Sequence, residues 1–476
     1  MAKSKAKDTK KNTADVGFED QLWNAADVLR GNLDAAEYKN VVLGLIFLKY
    51  LSDRFDERYL ELVAEGYGDE EDRDCYMEQN VFFVPEEARW ANISQAAHTP
   101  EIGQIIDNAM RAIERENDKL KDVLPKNFAR PELDKRRLGD VVDLFTNVQM
   151  TDNESEKDLL GRAYEYCLQK FASMEGKKRR RVLYTVVHRA ARWLKILQPF
   201  HGRVYDPCCG SGGMFVQSAE FVRNHQGNVN NISVYGQESN PTTWKMAKMN
   251  LSIRGIDADL GPKNDDTFFN DLHRTERFDY ILANPPFNMS DWGGDKLKDD
   301  PRWEYGMPPE GNANFAWMQH MIHHLSQSGR IGLVLANGSL SSQTNNEGEI
   351  RKNIVNAGLV EGIVAMPTQL FFSTQIPVCL WFLSKGRPEG SKTLFVDARN
   401  MGTMISRSQR TLTDEDIQRI ASTFDAFRDG TLEEEKGFSA AVSIEDIAKQ
   451  DYILTPGRYV GIADQEEDDE PFRRER

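Results

Sequence analysis

A chain of 476 residues, 40% of them hydrophobic, has length for two or three domains and material for a large core. Its five cysteines, Cys75, Cys167, Cys208, Cys209 and Cys379, are odd in number and contain no CxxC pair, which argues against a disulfide framework and against a cysteine-based zinc site. The net charge of −15 argues against a protein that grips nucleic acid unaided: either the substrate is something else or a partner supplies most phosphate contacts.

The N-terminus, Met1 to Lys11, is basic and polar with no apolar run behind it, so residues 1–15 read as a disordered basic tail rather than a secretory signal. Residues 16–160 read as a separate helical domain. Leu22, Ala25, Ala26 and Leu29, then Val41, Leu45, Leu48, Leu51 and Phe55, recur at helix spacing. The longest early apolar run, Val41–Leu48, is too short to span a membrane and contains Gly44, so a cytoplasmic protein without membrane contact is expected.

Residues 161–400 change character. Strands are predicted at Arg203–Asp206, Ile232–Gly236, Phe278–Ala283, Arg330–Ala336, Val360–Met366 and Val378–Leu383. Helices are predicted at Gly213–Arg223, Pro241–Arg254, Asn314–Ser326 and Glu347–Ala357. Alternating strands and helices imply an α/β domain with a mostly parallel, doubly wound sheet covered on both faces. Residues 401–476 read as a C-terminal helical extension that ends in a charged, solvated tail from Asp464.

Two motifs carry chemistry. Val204-Tyr205-Asp206-Pro207-Cys208-Cys209-Gly210-Ser211-Gly212-Gly213 is a strand, a tight loop and a helix start. Such glycines let backbone approach a ligand, and the helix N-terminus behind them offers free N–H groups. The Gly-x-Gly-Gly pattern lacks the last glycine of a dinucleotide loop, since position 215 is Phe, and taken alone a plain strand-to-helix connection explains it equally well. Asp206 ends that strand, where a carboxylate can meet a cationic or amino group. Glu238 closes the next strand, where an acid can bind both ribose hydroxyls. Asp266 follows in Asn264-Asp265-Asp266-Thr267, placed to meet an adenine amino group. Each acid alone is commonly a helix cap; three in order after successive strands are a pattern.

Asp279-Tyr280-Ile281-Leu282-Ala283-Asn284-Pro285-Pro286-Phe287 is a buried strand running into a turn that two prolines make rigid. Asn284 presents its amide oxygen from a fixed site. A flat base's exocyclic amine can donate one proton to that oxygen and the other to the Pro285 carbonyl, which directs the nitrogen lone pair at an incoming methyl group. Phe287 offers a face for stacking. Positioning and electrostatics suffice, without a strong base.

Asp-Pro-x-Cys-Gly-Ser-Gly-Gly with Asn-Pro-Pro-Phe resembles the amino-methyltransferases that use S-adenosyl-L-methionine. Tyr235–Asn240, Leu251–Ile256, Asp279–Trp292, Leu22–Phe55 and Tyr452–Val460 resemble the modification subunits of type I restriction-modification systems, over about residues 18 to 462. The resemblance implies a Rossmann-like methyltransferase domain behind an all-α N-terminal domain. It implies that Asp206, Gly210, Ser211, Gly212 and Gly213 line the cofactor loop, that Glu238 holds the ribose and Asp266 the cofactor adenine, and that Asn284, Pro285, Pro286 and Phe287 hold a target adenine rotated out of duplex DNA. It also implies two partners, a specificity subunit that reads double-stranded DNA and an ATP-driven restriction subunit, which fits the acidic total.

One segment departs from that family. Members carry Gly-Glu-Phe-Tyr-Thr-Pro before the first strand, where Thr185 would touch the cofactor. Here residues 176–186 read Gly-Lys-Lys-Arg-Arg-Arg-Val-Leu-Tyr-Thr-Val. Arg181–Arg189 can be encoded so that reading one base later gives Glu-Phe-Tyr-Thr-Pro-Ser-Ser-Thr. A compensated frameshift, in the gene or in its reading, is therefore the expectation. Lys177–Arg181 as a solvated loop or as a phosphate contact are the other readings.

His320, His323 and His324 are expected on a helix surface, with no third ligand for a metal. Trp292-Gly293-Gly294 is expected to be a loop that moves with DNA. Phe371, Phe372 and Pro377 read as core packing before pocket lining. Competing functions are methylation of RNA or of a protein glutamine amide, and a catalytically impaired scaffold.

Overall fold

The computed structural model describes residues 35–147, 194–225, 231–370, 376–406 and 409–462, with positions 23, 27, 29, 164, 166–168 and 170 besides. These fall into two compact units. One is built within Met1–Tyr184, Gly210–Gly212 and Asn240–Ala258, the other within Thr185–Cys209, Gly213–Ser239 and Asp259–Arg476.

The first unit is helical: α1 (Ala35–Glu65), α2 (Arg73–Met77), α3 (Trp90–Gln95), α4 (Ile102–Glu116) and α5 (Lys135–Asn147). On α1 the residues at helix spacing, Val41, Leu45, Leu48, Leu51 and Phe55, form a buried stripe, and Val42, Leu43, Ile46 and Phe47 beside it are buried too, so the helix is enclosed there. Gly44 in that stripe has a steric reason, because a Cβ there would stand 2.4 Å from Pro125 Cγ. Buried Asp107 is paired: it accepts from the Phe128 and Ala129 amides at 2.9 and 3.1 Å. Helix Pro241–Ile253 groups with this unit, where the Met246 carbonyl accepts from Tyr164 Oη at 3.4 Å. A helical domain was expected from the first residues alone; that it recruits a helix from the middle of the chain was not.

In the second part of the chain come β1 (Gly202–Asp206), α6 (Gly213–Asn224), β2 (Ile232–Gly236), α7 (Pro241–Ile253), β3 (Ala258–Asp259), β4 (Phe278–Ala283), α8 (Asn314–His324), β5 (Leu325–Ala336), α9 (Glu347–Asn356), β6 (Val360–Ala365), β7 (Val378–Ser384), β8 (Thr393–Asp397), β9 (Thr403–Ser406), β10 (Gln409–Thr411), α10 (Asp414–Arg428), β11 (Ser439–Val442) and α11 (Ile444–Ala448). The predicted strands and helices recur within a few residues. The sheet order is β11-β8-β6-β7-β5-β4-β1-β2-β3. β1, β2, β4 and β5 pair in parallel, as do β6 and β8, while β7 runs antiparallel to β5 and β6. Glycines let helical layers lie close on it: a Cβ on Gly362 of β6 would meet Phe424 of α10 at 2.7 Å. On the same strand Glu361 pairs with Arg428 of α10 at 2.8 and 3.0 Å.

The chain leaves β1 toward β2, then returns to place β4 on the other side of β1, with Val204 beside Tyr280 and Tyr205 beside Ile281. Ligands of open α/β sheets bind at such a reversal, outside the carboxyl ends of the strands. Asp206 ends β1 and Asn284 follows β4, so both chemical motifs flank the switch point.

The C-terminal segment expected to be helical carries α10 and α11 but strands as well. β9 and β10 form an antiparallel ribbon, and β11 closes the edge of the main sheet by pairing antiparallel with β8, from Ser439 opposite Val396 to Val442 opposite Thr393. The four residues Ser-Ala-Ala-Val have little strand propensity; the exposed edge of β8 makes the strand. Among the described residues, no helix is long and apolar enough to cross a membrane.

Candidate active site at the switch between β1 and β4

Asp206 is buried, and its Oδ1 accepts from the Cys208 amide at 3.0 Å. Burial pushes its carboxyl up to about 7, with the Glu238 charge adding to the rise and the Cys208 bond opposing it. The next turn, Gly210–Gly212, takes positive φ at Gly210 and Gly212, which glycine tolerates. The Ser211 carbonyl accepts from Asn250 Nδ2 at 2.9 Å, and a Cβ on Gly212 would crowd Leu251 at 3.1 Å. Cys208 and Cys209 are free thiols that burial holds well above the ordinary thiol range, so they are poor nucleophiles.

The loops after β1, β2 and β3 are laced together. The Gln237 amide donates to the Asp206 carbonyl at 3.1 Å, and the Gln237 carbonyl accepts from the Cys209 amide at 2.9 Å. The Gln237 side chain, fully buried, donates to the carbonyls of Asp265 and Asn270 at 3.2 and 2.8 Å and accepts from the Leu272 amide at 3.1 Å. Asp265 N donates to the Glu238 carbonyl at 3.1 Å, and Thr267 Oγ1 to the Pro207 carbonyl at 2.6 Å. Asp206, Glu238 and Asp266 are thereby fixed in one local framework. Asp266 also caps: its Oδ1 accepts from the Phe268 and Phe269 amides at 2.8 and 3.1 Å. Gln237 joins these loops, a part that sequence reasoning missed; its signal was a buried-strand end followed by a polar residue.

On the other side of the switch, Asn284 Oδ1 is buried and has no hydrogen-bond partner among the described residues. Pro285 is buried and Pro286 exposed. The turn is held at its far end by a reciprocal amide pair. Asn288 N donates to Asn314 Oδ1 at 3.1 Å, and Asn314 Nδ2 donates to Asn288 Oδ1 at 2.9 Å.

Two expectations need correction, those for the α8 histidines and for Pro377. His320 and His324 are not on a helix surface, because nearly every residue of α8 is buried. A third potential ligand does stand beside them: Asp271, whose carboxylate accepts from His324 Nε2 at 2.8 Å. Burial, the largest single influence, would raise Asp271, but the His324 bond, the neighbouring His320 and His324 rings and the His273 amide together outweigh it and hold the carboxyl well below the usual range. A cation is disfavoured there because Arg302 donates to His320 Nδ1 at 3.1 Å, which leaves the His320 proton on Nε2, facing Tyr205 Oη at 3.1 Å. The Trp292 ring anchors its loop rather than standing free at a tip. It is buried against Phe268 and Trp303 and donates to the Pro309 carbonyl at 3.0 Å. Pro377 is exposed rather than core, and its carbonyl accepts from the Asn337 amide at 3.0 Å. Thr185, the 176–193 segment, Phe371 and Phe372 lie outside the described residues.

A doubly wound sheet with a glycine turn after β1, acids after successive strands and an amide oxygen after β4 defines a nucleoside-cofactor methyltransferase of the amino-directed class. The chain belongs to the N-6 DNA methylase family, whose pattern matches residues 155–468, and the HsdM N-terminal domain pattern matches residues 18–145. It is similar to the type I restriction enzyme HindI methylase subunit of Haemophilus influenzae, at 46% identity over 82% of this chain and 92% of that one. It is 41% identical to the MjaIX methylase subunit of Methanocaldococcus jannaschii over 96% of this chain and 86% of that one. Among solved structures, the type I methyltransferase subunit of Streptococcus thermophilus superposes with a TM-score of 0.79 at 25% identity, covering 94% of this chain and 99% of that one.

Proposed function

We propose that this chain is the modification subunit of a type I restriction-modification complex and transfers a methyl group from S-adenosyl-L-methionine to N6 of adenine in double-stranded DNA. One observation carries the reading: Asn284 Oδ1 is buried without a partner on a turn that two prolines hold still, at the sheet's switch point. Such an orphan costs roughly 1–3 kcal/mol. A donor arriving from a substrate offsets that cost. An adenine amine fits, giving one proton to Asn284 Oδ1 and the other to the Pro285 carbonyl, while Phe287 stacks on the ring.

The residues present also fit the cofactor. Asp206 is a desolvated carboxyl that gains strongly from a nearby cation, and the cofactor carries both an ammonium and a sulfonium. Glu238 would take the ribose hydroxyls and Asp266 the adenine, with Gly210, Ser211, Gly212 and Gly213 forming the turn against its methionine end. The bound cofactor supplies an electrophilic methyl group. The chain's own residues position the amine, and a base inside a duplex must leave the stack to reach them. Sequence reading then belongs to a specificity subunit and cleavage to a restriction subunit, in the cytoplasm. A methylase family match over most of the chain weighs against methylation of RNA or of a protein glutamine amide.

The test is transfer of labelled methyl from the cofactor to duplex DNA in the presence of the specificity subunit, followed by nucleoside analysis. Label in N6-methyladenine, lost in Asn284→Ala with cofactor binding retained, supports the reading. Label in cytosine, RNA or protein would sink it.

A further inference from the structure

The segment between the Asn-Pro-Pro-Phe turn and α8 carries a buried arginine that neither motif includes. Arg302 is 7% exposed. All five guanidinium protons have an acceptor. Nε donates to Asp300 Oδ1 at 2.8 Å and Nη2 to Asp300 Oδ2 at 2.7 Å. Nη1 donates to the Thr267 carbonyl and to His320 Nδ1, each at 3.1 Å, and Nη2 donates to the Phe268 carbonyl at 2.5 Å. His320 continues the chain of bonds to Tyr205 Oη, one residue before Asp206.

The two carbonyls are informative. Thr267 and Phe268 directly follow Asp266, and the amide of Phe268 donates to Asp266 Oδ1. The turn that aims the Asp266 carboxylate is therefore clamped by Arg302 from the carbonyl side. Arg302 itself is held in a segment anchored on α8, where Tyr305 N donates to Gln319 Oε1 and Gln319 Nε2 to the Gly306 carbonyl, both at 2.8 Å. That segment begins at Asn288, the last anchor of the Asn284 turn.

We infer that Arg302 is a positioning residue for the cofactor's adenine: through the Thr267 and Phe268 carbonyls it fixes Asp266, and it joins that turn to the segment extending from the target-base turn. This rests on the methyltransferase reading of Asp266. Lysine cannot replace it, since an ammonium has three donors at one point and the site uses a planar fork of five. A ligand that orders one side of such a joined framework favours the other side by the same free energy.

The experiment uses the full chain with its specificity subunit. Cofactor Kd by calorimetry, and kcat and KM for methyl transfer, are measured for wild type, Arg302→Lys, Asp300→Asn, Asp266→Ala and the pairs Arg302→Lys/Asp266→Ala and Asp300→Asn/Asp266→Ala. Arg302→Lys is expected to raise the cofactor Kd and KM about tenfold, with kcat at saturating cofactor changed far less. In the Asp266→Ala background that loss should largely vanish, because the clamp acts through a carboxylate no longer there. Asp300→Asn is the gentler variant and decides the matter if Arg302→Lys lowers the folded fraction; a Kd raised about threefold, and suppressed with Asp266→Ala, is expected. Additive losses with Asp266→Ala, or wild-type Kd in a folded Arg302→Lys, would overturn the inference while leaving the function intact. A wild-type chain that binds no cofactor would overturn the function, and this inference with it.

Discussion

At Asn284 an acceptor is held ready and unsatisfied, so its removal should cost the reaction more than the fold. Asn284→Ala is expected to lower kcat by roughly 10²–10³, the magnitude of losing one preorganised polar contact to a reacting group. Cofactor Kd and melting temperature should stay near wild type, which single-turnover kinetics and a melting curve check together. Asp206 answers to pH instead. Its folded carboxyl rises from 3.8 to about 7, so the folded state holds that proton more tightly than the unfolded chain. The stability this contributes is complete below about pH 4 and is lost as pH rises toward 7. Asp206→Asn removes that loss. Its melting temperature relative to wild type should climb between about pH 4 and about pH 7 and then level. Cofactor affinity has the opposite sign, since the ionised carboxylate attracts the cation. Wild-type affinity should increase up to about pH 7 and then level, while that of Asp206→Asn stays weak and flat. Calorimetry across that range would refute the assignment if both proteins behaved alike.

At the scale of the element, the turn after β2 is the hinge on which three loops depend. Gln237→Ala would strip the Leu272 amide and the carbonyls of Asp265 and Asn270 of a partner. Buried groups left unmade cost on the order of 1–3 kcal/mol each, so with three of them a destabilisation of at least about 3 kcal/mol is expected by denaturant titration. The cofactor Kd should weaken with it, because the Asp265 carbonyl is bonded to that side chain, the Asp206 carbonyl to that residue's amide, and Glu238 follows it directly in the chain. The 176–193 segment poses a different question. If a frameshift displaced Glu-Phe-Tyr-Thr-Pro, a version with that motif restored should bind cofactor more tightly than the chain as written. Equal binding in titration calorimetry would mean that the departure is tolerated. Codons incompatible with the shifted reading would remove the frameshift itself.

The whole molecule carries −15, an unfavourable balance for an enzyme that must hold a polyphosphate unaided. The chain alone should therefore show weak affinity for labelled duplex in fluorescence anisotropy at physiological salt. Adding the specificity subunit should restore both affinity and methyl transfer. Tight, sequence-selective binding by the isolated chain would contradict delegated recognition.

The sequence by itself determined the elements and the chemistry carried on short segments. Apolar alternation and helix spacing are local signals, so β1, β2, β4–β7 and the helices between them were legible, as was the Asn284–Phe287 turn, because two adjacent prolines act on their own neighbours. Tertiary structure decided what depends on distant residues. β11 is a strand only because β8 offers an open edge. His320 and His324 point inward because α8 is enclosed on nearly every side, which the heptad-scale pattern of mixed aromatic and polar residues does not announce. Asp271, Gln237 and Arg302 acquire their roles from carbonyls and rings brought to them by the sheet order. Backbone carbonyls leave no mark in a side-chain sequence, so the groups that clamp this site to them could be recognised only once the chain had closed around the switch point.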